Sequence, residues 1–286
     1  MNEQTARTPL FCDVTLAGRI ERAEARFIAA CGEAAARRRG DRRGFRMPIG
    51  GGVAGYAEPD SPLNKVAGLG FAGPPDPAAL DAVEQAYAAR GAPVQAEVAS
   101  LADPAVLQLL AERGYRLVSV ENVLGHALGG GAAGPVTPPG VEVRPSDDAE
   151  LDTWLDVVVE ASLHPDAQGV PWQEEFPREV LENAERDAAG LVRRYLARLD
   201  GVPAGGGSMH LTDGVAQLTG AGTAPGFRRR GIQSALLAAR LADAATAGCD
   251  IAVVTVQPGS ASQQNAQRRG FDLLYVRAVL VLEPGR

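Results

Sequence analysis

In the second half of the chain, the hydrophobic and polar positions follow the pattern of β-strands in some segments and of an α-helix in others. Three β-rich segments at 192–199, 207–211 and 215–222 are separated by Asp-Gly pairs, which predicts three antiparallel strands joined by hairpin turns. The alanine- and leucine-rich run at 232–247 predicts a helix. The continuous apolar run at 251–256 predicts a strand that is buried on both faces.

The same patterning predicts the elements that begin and end this half. The segment at 141–145 reads as an opening strand and 147–163 as the helix after it. A short helix at 260–269, stopped by Gly270, and a last β-rich strand at 273–282 complete the order.

The first half repeats part of this pattern. Residues 96–124 align without a gap on 252–280, and Gly114 meets Gly270 at a separation of 156 residues. Other matched pairs are Val98 with Val254, Gln108 with Gln264, Arg113 with Arg269, Tyr115 with Phe271, Val120 with Val276 and Leu124 with Leu280. Such a repeat predicts two related domains.

Composition places the join between the copies. The Gly- and Pro-rich stretch 131–140 predicts a linker between a first domain at 1–130 and a second at 141–286. In the first domain, the pattern predicts a helix at 13–39, a strand at 66–71 and a helix at 77–89.

A basic turn lies between the predicted strand 215–222 and the predicted helix 232–247. It contains Arg228, Arg229 and Arg230, followed by Gly231. Amide groups at a helix start have no partner inside the helix, and the helix dipole adds positive charge there. Together with guanidinium groups that match phosphate oxygens, this arrangement predicts a diphosphate site.

Arg228, Gly231 and Gln233 occupy the three defining positions of the Arg/Gln-x-x-Gly-x-Gly/Ala motif, and the chain resembles the GCN5-related N-acetyltransferases (GNAT). Gln233 departs from the usual final Gly or Ala. The resemblance implies an α/β fold of the α+β mixed-sheet type, with two GNAT-like domains in tandem, each a mostly antiparallel twisted sheet flanked by helices. The turn at 72–76, Ala-Gly-Pro-Pro-Asp, lacks the donors and cations, so the first copy is expected to be degenerate and without a coenzyme turn.

The resemblance implies that acetyl-CoA is the acyl donor. Its pantetheine arm is expected between strands 215–222 and 251–256, which splay apart in this family. Ala266 stands where many members have a tyrosine that protonates the leaving thiol. The residues expected to bind the coenzyme are Ala221, Gly222, Thr223, Arg228, Arg229, Arg230, Gly231, Ile232, Gln233, Ser234, Ser262 and Asn265.

The expected activity is N-acyl transfer from acetyl-CoA to the primary amine of a small acceptor. Deprotonating an alkylammonium requires a base, and His210 is a candidate catalytic residue, although an ordinary hairpin role is also open. His164 and Trp172 are candidate substrate-binding residues that could equally hold a loop against the core. The alternative function is a non-catalytic acyl-CoA-binding or interaction module, and the acyl group could be acetyl or larger.

Composition and charge narrow the partners. With 45% hydrophobic residues, a net charge of −7 and a pI near 5.1, the 286-residue chain lacks the basic surface typical of nucleic-acid binding. No segment approaches the roughly 18 to 20 apolar residues of a membrane span, and residues 1–9 lack the apolar core of a secretory signal, so no membrane role and a cytoplasmic location are expected. Three scattered cysteines and three scattered histidines predict free thiols and no metal site. A monomer with internal pseudo-symmetry is expected, and a homodimer is the alternative.

Overall fold

A computed structural model describes residues 8–40, 44–129, 137–165, 168–170 and 175–285. The helices are α1 (Val14–Arg39), α2 (Pro77–Ala88), α3 (Pro104–Glu112), α4 (Leu151–Leu163), α5 (Arg178–Ala188), α6 (Ile232–Thr246) and α7 (Ala261–Arg268). The strands are β1 (Phe45–Ile49), β2 (Gly52–Tyr56), β3 (Lys65–Ala67), β4 (Val94–Ala99), β5 (Arg116–Ala127), β6 (Val141–Ser146), β7 (Arg193–Leu199), β8 (Val202–Thr212), β9 (Val215–Thr223), β10 (Ile251–Val256) and β11 (Asp272–Leu282).

Side-chain caps fix where several helices begin. Asp13, Asp76, Asp103 and Ser260 each accept a hydrogen bond from a backbone N–H in the first turn of α1, α2, α3 and α7. Such caps satisfy amide groups that the helix itself cannot pair. Helices α4, α5 and α6 have no side-chain cap, and α6 begins at Gly231.

The strands form one continuous sheet in the order β1-β2-β3-β4-β11-β5-β10-β9-β8-β7-β6. Pairing is antiparallel except between β3 and β4 and between β9 and β10. The predicted α/β class, with two related copies of a mostly antiparallel sheet flanked by helices, is therefore confirmed. The division of the chain at 131–140 stays a prediction.

The last strand of each half lies in the other half's part of the sheet. Strand β11 pairs with β4, and β5 pairs with β10, while β5 and β11 pair with each other at the centre. Continuity of the sheet across the two copies is a feature that the repeat alone does not predict.

The central pairing confirms the register of the repeat. Asn122 lies opposite Val276 and Val120 opposite Ala278, and a shift of 156 residues converts one pair into the other. Glu121 lies opposite Arg277, and these two residues occupy equivalent positions in the two copies, 156 residues apart. A local two-fold pseudo-axis therefore passes between Glu121 and Arg277.

One predicted strand is shorter than expected. The prediction of a strand at 66–71 is wrong beyond Ala67, where β3 ends. Gly68 and Gly70 have φ angles of 81° and 85°, in the left-handed region that does not continue a strand.

The sheet carries helices on both faces. On β8, a side chain at Gly205 would meet α6 residues, whereas one at Gly206 would meet Trp154 and Val158 of α4. This alternation places α6 on one face and α4 on the other. Helix α1 packs against β2, β3 and β9 and against α5.

Candidate active site

Strands β9 and β10 separate in the middle of the sheet, as the resemblance implies. Their parallel pairing is confined to Val215, Ala216 and Gln217 of β9, opposite Ile251, Ala252 and Val253 of β10. Both strands continue beyond this point without pairing with each other, so the facing edges of their backbones are open.

A cavity of ≈ 420 Å³ occupies this gap. Residues of both halves line it. Those of the second half include Ala221, Gln233, Leu237, Arg240, Ser262, Asn265 and Ala266, and those of the first half include Glu24, Phe27, Ile28, Leu63, Lys65 and Glu121. Four of the residues expected at the coenzyme, Ala221, Gln233, Ser262 and Asn265, thus face one space.

A bulge interrupts the pairing of β9 with β8 beside the cavity. Gly222 pairs with Gly206 and Thr219 with Ser208, so β9 has one residue more than β8 between these pairs. Gly220, with a φ of 47°, absorbs this extra residue. Gly222 and Thr223 are paired with β8 on one edge, and the other edge of β9 faces the gap.

The start of α6 has the donor-rich geometry predicted from the sequence. Gly231 is the N-cap, with a φ of 79°, and no side chain caps the first amides of the helix. Nearby, Thr223 Oγ1 and Gln233 Oε1 are buried without a hydrogen-bond partner. Buried polar atoms are nearly always paired, so these two oxygens fit a ligand that supplies hydrogen bonds, such as the amides of pantetheine.

The three arginines differ in their surroundings. Arg228 donates hydrogen bonds to the backbone carbonyls of Thr223 (Nε, 3.4 Å) and His164. Arg229 and Arg230 are exposed, and neither makes a hydrogen bond or ion pair with a described residue. Ile232 packs in the core with 1% exposure, so only its backbone is available to a phosphate.

Gly231 has a role beyond the predicted close approach of backbone to ligand. A Cβ atom there would lie 2.5 Å from Pro138 Cγ. Glycine is therefore required both by the positive φ and by the packing of Pro138, and substitution by a larger residue strains the fold as well as the site.

Of the two candidate substrate-binding residues, His164 does not line the cavity. His164 is the C-cap of α4, with its side chain 57% exposed and its Nδ1 atom 3.0 Å from the carbonyl oxygen of Glu160. Trp172 lies outside the described residues.

His210 is held behind the cavity. Its ring packs on Phe27 with centroids 4.7 Å apart, and its Nδ1 lies 3.1 Å from Gln217 Oε1. Gln217 in turn donates a hydrogen bond from Nε2 to Glu24 Oε2 at 2.9 Å. Phe27, Gln217 and Glu24 line the cavity, and His210 does not.

Charged side chains of the first half, missed by the sequence analysis, surround the other side of the cavity. Lys65 Nζ lies 2.7 Å from Glu97 Oε1 and 3.7 Å from Glu24 Oε1. Burial alone lowers the pKa of Lys65, but the neighbouring carboxylates raise it above its usual range. Burial raises the pKa of Glu121 to about 7, the charge of Glu97 adds to this, and Lys65 and Arg277 oppose it. The only sequence signal was the presence of ionisable residues within otherwise apolar strands.

Two further buried groups lie on either side of the bulge. On the α6 side, Arg240 donates to the carbonyls of Leu236, Ser208 and Thr219, and burial lowers its pKa to about 10. On the α5 side, Glu185 Oε2 lies 3.1 Å from where a Cβ of Gly220 would be, and burial raises its pKa to about 7.

Other candidate chemistry is weak in the described part of the chain. Cys12, Cys31 and Cys249 are free, and burial is the largest cause of a raised pKa in each, which disfavours the reactive thiolate. Among the described residues, no cluster of three or more His, Cys, Asp or Glu side chains could hold a metal ion. In the same residues, no helix is both long and apolar enough to cross a bilayer.

Known proteins share this architecture. Residues 158–271 match the sequence model of the acetyltransferase (GNAT) family. The GCN5-related N-acetyltransferase of Kribbella flavida is 25% identical, with 92% of this chain and 96% of that chain covered and a TM-score of 0.63. The GCN5-related N-acetyltransferase of Sphaerobacter thermophilus is 20% identical, with 93% of each chain covered and a TM-score of 0.56.

A tandem GNAT protein from the clavulanic acid biosynthesis pathway also shares the fold, with 14% identity, 83% of this chain and 81% of that chain covered, and a TM-score of 0.59. Among curated proteins, none matches this chain. The family match, the splayed strands and the shared fold lead to one conclusion: residues 158–271 form an acetyltransferase (GNAT) domain, the chain as a whole shares the fold of GCN5-related N-acetyltransferases, and the protein is an acetyltransferase enzyme.

Proposed function

We propose that the protein transfers the acetyl group of acetyl-CoA to the primary amine of a small acceptor in the cavity between β9 and β10. The observation that carries the proposal is the composition of the cavity wall. On one side lie Gln233, Ser262 and Asn265 of the second half, and on the other lie carboxyl groups of the first half. Donor and acceptor would thus enter one space from opposite sides.

The coenzyme would be held by groups that have no partner among the described residues. The uncapped amides of α6, with Arg229 and Arg230 beside them, suit the diphosphate. The unpaired oxygens of Thr223 and Gln233 and the open edge of β9 suit the amides of pantetheine. The coenzyme supplies the activated acetyl thioester. Backbone N–H groups along the open edge of β9 would polarise its carbonyl.

A cationic amine is the acceptor class that the cavity favours. Glu24 and Glu121 line it, and the whole chain carries a net charge of −7. Three cations also line it, but Lys65 and Arg277 are paired with buried carboxylates and Arg240 donates to backbone carbonyls. An alkylammonium with a pKa of about 10.4 costs about 4 kcal/mol to deprotonate at neutral pH, so a base near the amine is needed. A volume of ≈ 420 Å³, shared with the acyl group, favours a small molecule.

His210 remains a candidate base, and His164 and Trp172 remain candidates at the acceptor entrance. For His210, the route to the cavity passes through the side-chain amide of Gln217. An amide does not exchange protons readily at neutral pH, so His210 would need direct access to the acceptor.

Two experiments test the proposal. Calorimetric titration of the purified protein with acetyl-CoA should give one site per chain, because the turn at 72–76 lacks the arginines and the free amides of the turn at 228–234. Thiol release with a panel of primary amines should then identify an acceptor. Binding without thiol release from any amine would favour the non-catalytic acyl-CoA-binding module, and two equivalent sites would contradict the assignment of the coenzyme to the second half.

The cellular setting is also part of the proposal. A cytoplasmic monomer that binds neither nucleic acid nor membrane fits the acidic charge and the three free cysteines. Light scattering on the eluted protein should give a mass near 29.7 kDa. A mass of twice that value would indicate a homodimer.

A further inference from the structure

We propose that the degenerate first half forms the acceptor side of the active site, where Glu24 and Glu121 bind the ammonium group of the acceptor and Glu121 is its general base. This inference rests on the proposed function. It assigns recognition of the acceptor to the copy that has no coenzyme turn.

The cavity wall on this side comes from three separate elements of the first half. Helix α1 contributes Glu24, strand β3 contributes Lys65, and strand β5 contributes Glu121. Phe27 and Leu63 add apolar surface beside them. The side chains therefore form a pocket with charged and apolar faces, which suits a small organic cation.

Ion pairing within the cluster leaves Glu121 without a cation partner and Glu24 with only a long contact to Lys65. The carboxylate of Glu97, which is 2% exposed, forms an ion pair with the ammonium of Lys65 at 2.7 Å. The carboxylate of Glu21, which is 1% exposed, forms one with the guanidinium of Arg277 at 2.8 Å. The carboxyl group of Glu121, which lies in β5, makes no hydrogen bond or ion pair with any described residue.

Glu24 accepts a hydrogen bond from Gln217 and lies 3.7 Å from the already paired Lys65. The cluster thus has four carboxyl groups and two cations. Glu24 and Glu121 line the cavity, and so do Lys65 and Arg277, whose charges are paired with Glu97 and Glu21 behind the wall.

The proton affinity of Glu121 suits the task. Burial and the charge of Glu97 raise its pKa to about 7, Lys65 and Arg277 lower it, and Glu24 adds a smaller increase. The equilibrium constant for proton transfer from an alkylammonium to an ordinary carboxylate is unfavourable by about six powers of ten. For a base whose pKa is about 7, it is unfavourable by only about three to four powers of ten. The charged groups around Glu121 are therefore Glu24 of α1, Lys65 of β3, Glu97 of β4 and Arg277 of β11.

The transfer step balances with this base. The ammonium group gives one proton to the carboxylate of Glu121, and the neutral nitrogen attacks the carbonyl carbon of the thioester. The carbon–sulfur bond breaks, and the thiolate leaves with the bonding pair and takes a proton. The new amide nitrogen loses its second proton, so an ammonium ion and acetyl-CoA yield an acetamide, a free thiol and one proton.

The position of Glu121 explains why only one of the two copies has this base. Its counterpart across the pseudo-axis is Arg277, a cation that cannot accept a proton. Because the last strands are exchanged, the carboxyl group of the first copy lies beside the cavity of the second.

The test compares two carboxyl groups whose pKa burial raises to about 7. Glu121 lines the cavity, and Glu185 does not. Glu121→Gln should lower kcat with butylamine by a hundredfold or more and abolish the rise of the rate near neutral pH. Glu185→Gln should retain both, and both variants should bind acetyl-CoA like the parent protein.

A second substrate separates loss of the base from loss of structure. Trifluoroethylamine is largely neutral at neutral pH because its fluorine atoms weaken the nitrogen base, so it needs no proton acceptor before attack. Glu121→Gln should therefore lose much less activity with trifluoroethylamine than with butylamine. A general structural defect would lower both rates equally and would overturn the proposal.

Glu24→Gln tests ammonium binding. It should raise the KM for butylamine at least severalfold and change the KM for trifluoroethylamine little. If the parent protein acetylates butylamine and Glu121→Gln keeps its rate and pH profile, the base is elsewhere and the proposed function stands. If the parent protein releases no thiol with any amine, both proposals fall.

Discussion

Tyr275→Phe distinguishes a structural tyrosine from a catalytic acid. Tyr275 is 4% exposed in β11, and its hydroxyl donates a hydrogen bond to Glu21 Oε1 at 2.7 Å. Arg277 donates to the same oxygen from Nε at 2.8 Å. This network ties α1 of the first half to the last strand of the second. Phenylalanine keeps the ring and removes only the hydroxyl.

The expected cost follows from the burial of Glu21. A hydrogen bond to a charged group contributes about 1.5–3 kcal/mol, and water cannot replace the hydroxyl beside a carboxylate that is 1% exposed. Arg277 still pairs Glu21, so we expect a loss within that range. Tyr195→Phe is the matched control, because its hydroxyl donates at 2.7 Å to Asp243, which is partly exposed, and should cost only about 0.5–1.5 kcal/mol.

The assay is urea unfolding of the parent and both variants, compared at equal m-values, together with the pH dependence of the rate. Tyr275 does not line the cavity, so Tyr275→Phe should keep the maximal rate of acetyl transfer. Its pH–rate profile should also remain a single rise with pH, as in the parent. A hundredfold loss of rate in a folded variant would show that Tyr275 acts as the general acid. The assignment of Ala266 to the usual tyrosine position would then be wrong.

Three further changes test other parts of the structure. Arg230→Ala should weaken acetyl-CoA binding about tenfold or more without changing stability, because this exposed side chain has no described partner; equal affinity by calorimetry would place the diphosphate elsewhere. Gly231→Ala should lower the free energy of unfolding by about 1–2 kcal/mol through its φ of 79°, and by more through contact with Pro138, so urea unfolding that matches the parent would contradict the left-handed N-cap. The pKa of Glu185 is raised in the folded state, so the free energy of unfolding of the parent falls as pH rises from about 4.3 to about 7. Glu185→Gln should remove this fall. The difference in stability between Glu185→Gln and the parent should therefore shift by about 3 kcal/mol in favour of the variant between the two ends of this pH window. Parallel pH profiles of stability for Glu185→Gln and the parent would show that the carboxyl group is not buried in solution.

Most of the fold of the second half was predictable because its signals are local. Hairpin turns, a helix with a glycine stop and an apolar strand are each written in a few consecutive residues. The bounds of β10 at Ile251–Val256 agree fully with the prediction. The order of strands depends on pairings between distant segments, such as β11 with β4, and periodicity within a segment carries no information on its partner.

The candidate site divides in the same way. Gln233, Ser262 and Asn265 could be placed because they accompany a motif with fixed spacing. Glu121 could not, because its proposed role depends on a strand of one copy lying beside the cavity of the other. A single ionisable residue in an apolar strand is also compatible with a solvent-facing position.

The structure gives a physical reason for the retention of a first copy whose turn at 72–76 carries no arginine. Since β5 lies between β11 and β10, the second half cannot complete its sheet without the first. The first half therefore keeps its strands for stability, while its own turn at 72–76 is free to lose phosphate donors. In the proposed site, the residues that it presents to the neighbouring cavity, Glu24 and Glu121, can then change to suit an acceptor without disturbing the turn at Arg228–Ser234. The proposed division of acceptor and donor between two copies would thus be a consequence of the exchanged strands.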